Sequence, residues 1–351
     1  MTTPGPSRDE PHAATGTGSA AAHHGEILQG AFRDDQGRVR RALVTLRCSG
    51  WKSHATFYPS AQAADITCEP GMWKARRAAA YSMAEFATER SPATGGHVEI
   101  SSDVPRGIGM GSSTADVIAV IRAIADFHGV TPTTAEIGRI AVQAECASDP
   151  IMIDDQAVLF AHREGIVLEA YGRPLPAMIV VGCDADPGTG SIDTIALPPA
   201  VYSEADIETF SSLRSELRAA VATGDVDQLA GVATRSAVIS QRFLPKSAFD
   251  FLLDVCERSG GRGVQVAHSG TVAGVIFDAR RDDVRASVER CATYIEEAGL
   301  SLTGIISLSV PAGSALALSK ASGPVAALAV GDRRLGLSRR GRRTPELFTD
   351  V

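Results

Sequence analysis

Hydrophobic and polar positions change period several times along the chain. Over Arg41–Ser49 (RALVTLRCS), Ser53–Pro59 (SHATFYP) and His97–Val104 (HVEISSDV) apolar residues alternate with polar ones or run together, which predicts strands. Arg76–Arg90 has helical spacing and few β-branched residues, which predicts a helix. From Ser112 onward, Val117, Ile118, Ile121, Ile124 and Ala125 recur at three- and four-residue steps until Gly129, a second helix. Thr133 to Glu136 has the form of a capping box, so a third helix is expected over 134–145.

Beyond YGRPLPAMIVVGCDADPGTGS, whose prolines and glycines bracket an apolar strand at Ala177–Val181, the pattern predicts helices over 204–223, 226–239 and 249–258. Apolar strands within Gly263–Asp278, interrupted midway, and at Thr303–Gly313 flank a helix over 282–298. Runs of strands mixed with runs of helices predict an α+β fold, with an antiparallel or mixed sheet in each half. The division expected is a flexible tail over 1–20, domains over 21–172 and 173–319, and a tail over 320–351. That last tail carries six arginines between Arg333 and Arg343.

Composition narrows the partners. With 351 residues and 44% hydrophobic content the chain buries a substantial core. A formal net charge of −7 and 5% aromatic residues argue against nucleic acid and anionic membranes as partners. No apolar run reaches the roughly 18 to 20 residues of a membrane span, and residues 1–20 lack the apolar stretch of a secretory signal. The six cysteines have no metal-ligand spacing and read as the reduced thiols of a cytoplasmic protein; a monomer or homodimer is expected.

The chemistry concentrates in PRGIGMGSSTAD, Pro105–Asp116, where Gly107, Gly109 and Gly111 alternate before Ser112 and Ser113 at a helix start. Glycines open backbone conformations closed to other residues and clear side chains from a bulky ligand's path. The first amides of a helix have no intrahelical partner and carry partial positive charge, so a phosphate chain lies well against them. Hydroxyls at Ser112 and Ser113 cap the helix or reach a phosphate-bound cation. A Gly-rich turn with a serine cap is the plainer reading. The ordered run of proline, three glycines, paired serines, Thr114 and Ala115 favours phosphate binding over it.

Carboxylates stand at Glu145 and Asp149 in AECASDP, four residues apart and on one face if the helix continues, with Asp154-Asp155 as a competing pair. A solvated helix end is the alternative for both. Glu26 and Gln29 in GEILQG suit an ammonium and a hydroxyl, or one another in a turn. His268, Ser269 and Gly270 interrupt an apolar strand, as a ligand-facing turn or as a bulge. Lys246 is a candidate contact for phosphate or carboxylate.

The segment Pro105–Ala115 resembles the second signature of the GHMP kinases, P-x-x-x-G-L-G-S-S-A-A. Within that family the likeness is greatest to the L-threonine kinases of cobalamin biosynthesis: GMGSSTAD at Gly109–Asp116, HGEILQGAF at His24–Phe32, and ISQRFLPK with VAHSGTVAGVIFD at Ile239–Lys246 and Val266–Asp278 are similar to theirs. His24 stands where a cysteine is common there, and Ile108 where a lysine is common. The spacing of Glu145 and Asp149 is one residue longer than in E-P-T-D.

The resemblance implies an α+β two-domain architecture, with an N-terminal domain like domain 2 of ribosomal protein S5 and a C-terminal ferredoxin-like domain. It implies a kinase that transfers the γ-phosphoryl group of ATP, with Mg2+, to a small-molecule alcohol, most closely L-threonine. Homoserine, serine, sugar or isoprenoid alcohols, or a non-catalytic nucleotide sensor, are the alternatives. It assigns Pro105, Gly107, Gly109, Met110, Gly111, Ser112, Ser113 and Thr114 to ATP, and Ser113 and Glu145 to Mg2+. Asp149 becomes the catalytic residue, and Glu26, Gln29, His268, Ser269 and Gly270 fall to the acceptor.

Overall fold

The structure, a computed structural model, describes residues 15–63, 65–87, 95–189 and 200–309. The arginine-rich segment, the far end of the strand expected to reach Gly313, and the helix residues expected beyond 87 lie outside the described residues. Among the described residues ten strands form one mixed sheet, ordered β10-β7-β9-β8-β1-β2-β4-β3, with the β5–β6 hairpin attached to β2. Where one sheet was expected in each half, strands of both halves join through β1.

Strand β1, Gly16–Arg33, begins inside the segment expected to be a tail. Its small residues are a packing surface rather than a linker. A Cβ on Gly16 would fall 2.1 Å from the Ala123 carbonyl oxygen, and one on Gly18 2.2 Å from that of Ala119. Helix α2, Ser112–Phe127, therefore lies directly on this strand. The two strands expected at 41–49 and 53–59 are one, β2 (Val39–Ser60). The Ser49-Gly50 interruption is a bulge: Ala21 pairs with Lys52, and Ala22 with Cys48.

Strands β3 (Ile66–Thr67) and β4 (Gly95–Ser102) extend the sheet, and α1 (Trp73–Phe86) packs beside α2. Helix α3, Thr134–Glu145, starts at the expected capping box, with the Thr133 side chain and Glu136 bonding reciprocally. Strands β5 (Val158–Ala161) and β6 (Ile166–Ala170) follow. The second half comprises β7 (Met178–Asp184), α4 (Glu204–Thr223), α5 (Val226–Ser240), α6 (Phe249–Ser259), β8 (Gly263–Val266), β9 (Val272–Asp278), α7 (Val284–Glu297) and β10 (Leu302–Leu308).

One hydrophobic core joins α1, α2 and α3 to β1 and β2 and continues into α4 and α5; a second lies between β7, β8, β9 and the helices α6 and α7. Helix α2 is buried almost all round, with Ile118, Ile121 and Ile124 fully enclosed. Each such side chain contributes about 1.5–3 kcal/mol of burial. The helix is thus a rigid post, and its N-terminus is fixed in space. Among the described residues no helix is long and apolar enough to cross a membrane.

Candidate active site

The N-terminus of α2 forms one wall of a cleft. Gly107, Gly109 and Gly111 all take positive φ (83°, 91° and 70°), the conformations that explain the alternating glycines. Gly111 caps the helix in the left-handed region, with no side-chain cap on the first amides. Gly107, Gly109, Gly111, Ser112, Ser113 and Thr114 line a cavity of about 230 Å³, together with Glu145, Asp149 and residues 268–270.

The turn between β8 and β9 forms the facing wall, backbone against backbone. The amides of Thr271 and Val272 donate to the Ile108 carbonyl at 2.8 and 2.9 Å. A Cβ on Gly109 would sit 1.9 Å from the Ser269 carbonyl oxygen, and one on Gly270 2.3 Å from the Gly109 nitrogen. Gly270 is therefore the point of close approach between two loops. Lys246, instead of facing a ligand, is buried and donates to the Gly270 carbonyl at 2.6 Å. Burial pushes its ammonium down to about 8.

Helix α3 ends at Glu145, because Cys146 turns left-handed at φ 69°. Asp149 is therefore on the following loop rather than on a continuing helix. The loop nevertheless brings both carboxylates to α2. Glu145 accepts from the Ser113 hydroxyl at 3.0 Å and the Thr114 hydroxyl at 2.9 Å, and Thr114 also lies 3.5 Å from Asp149. Burial is the largest influence on Glu145 and raises it to about 7, against the two hydroxyls and Lys74. The competing carboxylates fall elsewhere: Asp154 is exposed and Arg47 lies 3.8 Å from it.

Three imidazoles surround Asp149. His23 Nε2 is 3.0 Å and His268 Nδ1 3.9 Å from its carboxylate, and the His162 ring packs on that of His268 at 5.4 Å. Burial pushes the Asp149 carboxyl up, but the charges of His23 and His268 outweigh it and hold the group well below the usual carboxylate range. Burial works the other way on the rings. It drives His162 down to about 3, a neutral ring, whereas Asp149 and Glu26 hold His23 above its ordinary value and His268 at about 9 despite their burial. Two imidazoliums thus face two carboxylates.

Glu26, expected to meet a substrate ammonium, is instead buried. Its two oxygens accept from the His268 amide at 2.6 Å and the His268 ring at 2.9 Å. Gln29 turns away: its side chain donates to the Val266 carbonyl, and its amide to the Ser236 hydroxyl. Met110 is core, and its carbonyl accepts the His23 amide. Pro105 precedes the loop without lining the cavity.

His24 faces the opposite side of β1. It accepts from the Gln265 amide at Nδ1 and donates to the Thr303 hydroxyl from Nε2, with burial pushing it down to about 3. Residues that the sequence reading did not single out complete the site: His23, His162 and, at the start of α1, Lys74. The signal for His23 is the doubled histidine before GEILQG; nothing marks Lys74. A second cavity, of about 210 Å³ between β2 and residues 150–158, lacks the glycine-loop amides.

A helix end with bare amides beside a hydroxyl–carboxylate pair has the donors and ligands that a phosphate and its cation require. Residues 75–162 match the family model for the GHMP kinases N terminal domain. A solved homoserine kinase from Cytophaga hutchinsonii has the same fold, with TM-score 0.57 at 12% identity over 87% of this chain and 98% of that one. Residues 75–162 are thus similar to the N-terminal domain of the GHMP kinases, and the fold as a whole is that of GHMP kinase structures. The chain is 30% identical to the L-threonine kinases of Salmonella typhimurium over 187 residues and of Citrobacter freundii over 201. Each match takes in 53% of this chain; it spans 61% of the first relative's length and 64% of the second's.

Proposed function

We propose that the protein is an ATP-dependent kinase of a small alcohol of amino-acid type, with L-threonine as the acceptor and O-phospho-L-threonine as the product. The observation that carries this reading is the pairing of Ser113 and Thr114, at the bare N-terminus of α2, with the buried carboxylate of Glu145. The similarity to L-threonine kinases supports the choice of acceptor. We take residues 21–172 as the nucleotide-binding half and 173–319 as the half that closes the cleft, in a cytoplasmic setting.

The uncapped amides at Ser112–Thr114 and the open backbone of Gly107–Gly111 hold the triphosphate. The donor set suits a hard divalent cation: Ser113 Oγ and the Glu145 carboxylate are all-oxygen ligands, and Glu145, held near 7 by burial, gains its missing counter-charge when such a cation binds. Mg2+ held there would neutralise charge on the transferring phosphoryl group.

Asp149 accepts a hydrogen bond from the acceptor hydroxyl and points it at the γ-phosphorus. Its strongly lowered pKa makes it a weak base. In a loose transition state the hydroxyl proton departs late, so orientation comes before proton removal. His268 faces the same cleft as an imidazolium and opposes the charge that gathers on the phosphoryl oxygens.

The test is ADP formation by purified protein with Mg2+ across L-threonine, L-serine, L-homoserine, a sugar and an isoprenoid alcohol. ADP released only with L-threonine upholds the reading. Selective turnover of another alcohol replaces the acceptor, and nucleotide binding without turnover of any alcohol leaves a sensor.

A further inference from the structure

One strong cation near the cleft has no role in the chemistry above. Arg41 lies on β2 opposite Ala31 of β1. On its other side β2 meets β5, with Leu43 paired to Phe160 in antiparallel register. Two residues along, the same register sets Arg41 beside His162. The His162 ring packs on His268, and His268 faces Asp149. Arg41 is therefore two side chains from the carboxylate that orients the acceptor hydroxyl.

Its surroundings are short of anions. Among the described residues no carboxylate forms an ion pair with Arg41, whereas fourteen of its fellow arginines, from Arg33 and Arg38 to Arg285, have such partners within 3.2 Å. Its polar contact is the Tyr202 hydroxyl, and Tyr202 is itself wedged between the rings of Phe210 and Phe243. Burial and the neighbouring charge of Arg163 both pull the guanidinium below its ordinary value. A partly buried guanidinium beside a second cation, with a phenol as its hydrogen-bond partner among the described residues, is short of a counter-charge. Glu26, the buried acid of the adjoining strand β1, is bound at both oxygens by His268.

We infer that Arg41 binds the carboxylate of the acceptor, so that the substrate is a hydroxy acid held at one end by Arg41 and at the other by Asp149. A planar fork of donors suits a carboxylate, and Tyr202 fixes the stem of the fork in advance. This deepens the kinase reading and rests on it. It limits acceptors to alcohols that carry an acid group close to the hydroxyl, and it excludes neutral sugars and simple isoprenoid alcohols.

The experiment compares L-threonine with L-threoninamide, identical except for the charged group, in wild type, Arg41→Met and Arg41→Lys. Arg41→Met is expected to lower kcat/KM for L-threonine by about 10²-fold, mainly through KM, as truncation of one partner in a buried charge pair does. The KM for ATP stays unchanged, and the amide is used equally by wild type and Arg41→Met. Arg41→Lys recovers part of the loss. Circular dichroism and thermal melting confirm that the variants fold.

An unchanged KM for L-threonine in Arg41→Met overturns the inference, and so does an equal loss on acid and amide. A rise in the KM for ATP alone assigns the guanidinium to phosphate and likewise overturns it. If wild type phosphorylates no alcohol, the kinase reading fails, and calorimetric titration of L-threonine decides the Arg41 site separately. Heat seen in wild type and lost in Arg41→Met upholds the site; absence of heat in both overturns it.

Discussion

His23 Nε2 lies 3.0 Å from the Asp149 carboxylate, with both residues buried. The contact is a charge-assisted hydrogen bond, and it keeps Asp149 ionised where burial alone would neutralise it. Replacing His23 by Gln keeps a donor and removes the charge. The expected loss in kcat is roughly 10–10²-fold, the worth of a hydrogen bond to a charged group. Asp149 then titrates higher, so a new acid limb appears in the pH profile of kcat. An unchanged profile would separate His23 from Asp149 function.

Glu145 sits near 7 through burial, and a bound cation favours its ionised form. The acid limb of kcat/KM is therefore expected to fall near neutrality at limiting Mg2+ and to move to lower pH as Mg2+ rises. Initial rates across pH at several Mg2+ concentrations test this. In Glu145→Gln the dependence of the limb on Mg2+ disappears.

His268 is raised to about 9 in the fold, against about 6.5 in an unfolded chain. The folded state binds the proton more tightly, so this contribution to stability is complete below about pH 6.5 and is lost as pH rises through 9. Urea unfolding at pH 6 and pH 10 is expected to show a larger fall for wild type than for His268→Gln. Equal falls would contradict the charged assignment.

A Cβ at Gly111 would stand 2.2 Å from Cδ2 of His23, at a backbone φ of 70°. Gly111→Ala is expected to cost about 1–3 kcal/mol from backbone strain and to displace the His23 ring from Asp149. Adding His23→Ala removes the clash but not the strain, so melting temperature recovers in part while turnover does not. Thermal melts and kcat for the single and double variants read the two effects apart.

Much of this fold is visible in the pattern of residues. Helix α3 follows from its capping box, and the helices α4 to α7 from their spacing, because caps and amphipathic stripes are local signals. Strand β1 was not visible at its start. GTGSAAA reads as a linker by composition, and only the distant helix α2 pressed against it explains Gly16 and Gly18. The glycine loop at the start of α2 was legible from its local pattern, and the meeting of Ser113 with Glu145 was expected from the family resemblance. The partners of Glu26 and Gln29 were not, since both are set by β8 and the turn after it, some 240 residues away.

The pleat of β1 sends the consecutive histidines His23 and His24 to opposite sides of one strand, and the register shifts between Ala21 and Leu28 flank them. His23 meets Asp149, while its neighbour is sealed among Gln265 and Thr303 in the neutral state. Shortening the chain by a single residue just upstream would offer the acid the wrong ring without altering which amino acids are present. An inventory of residues would call such a protein intact; strand phase alone would have disarmed it.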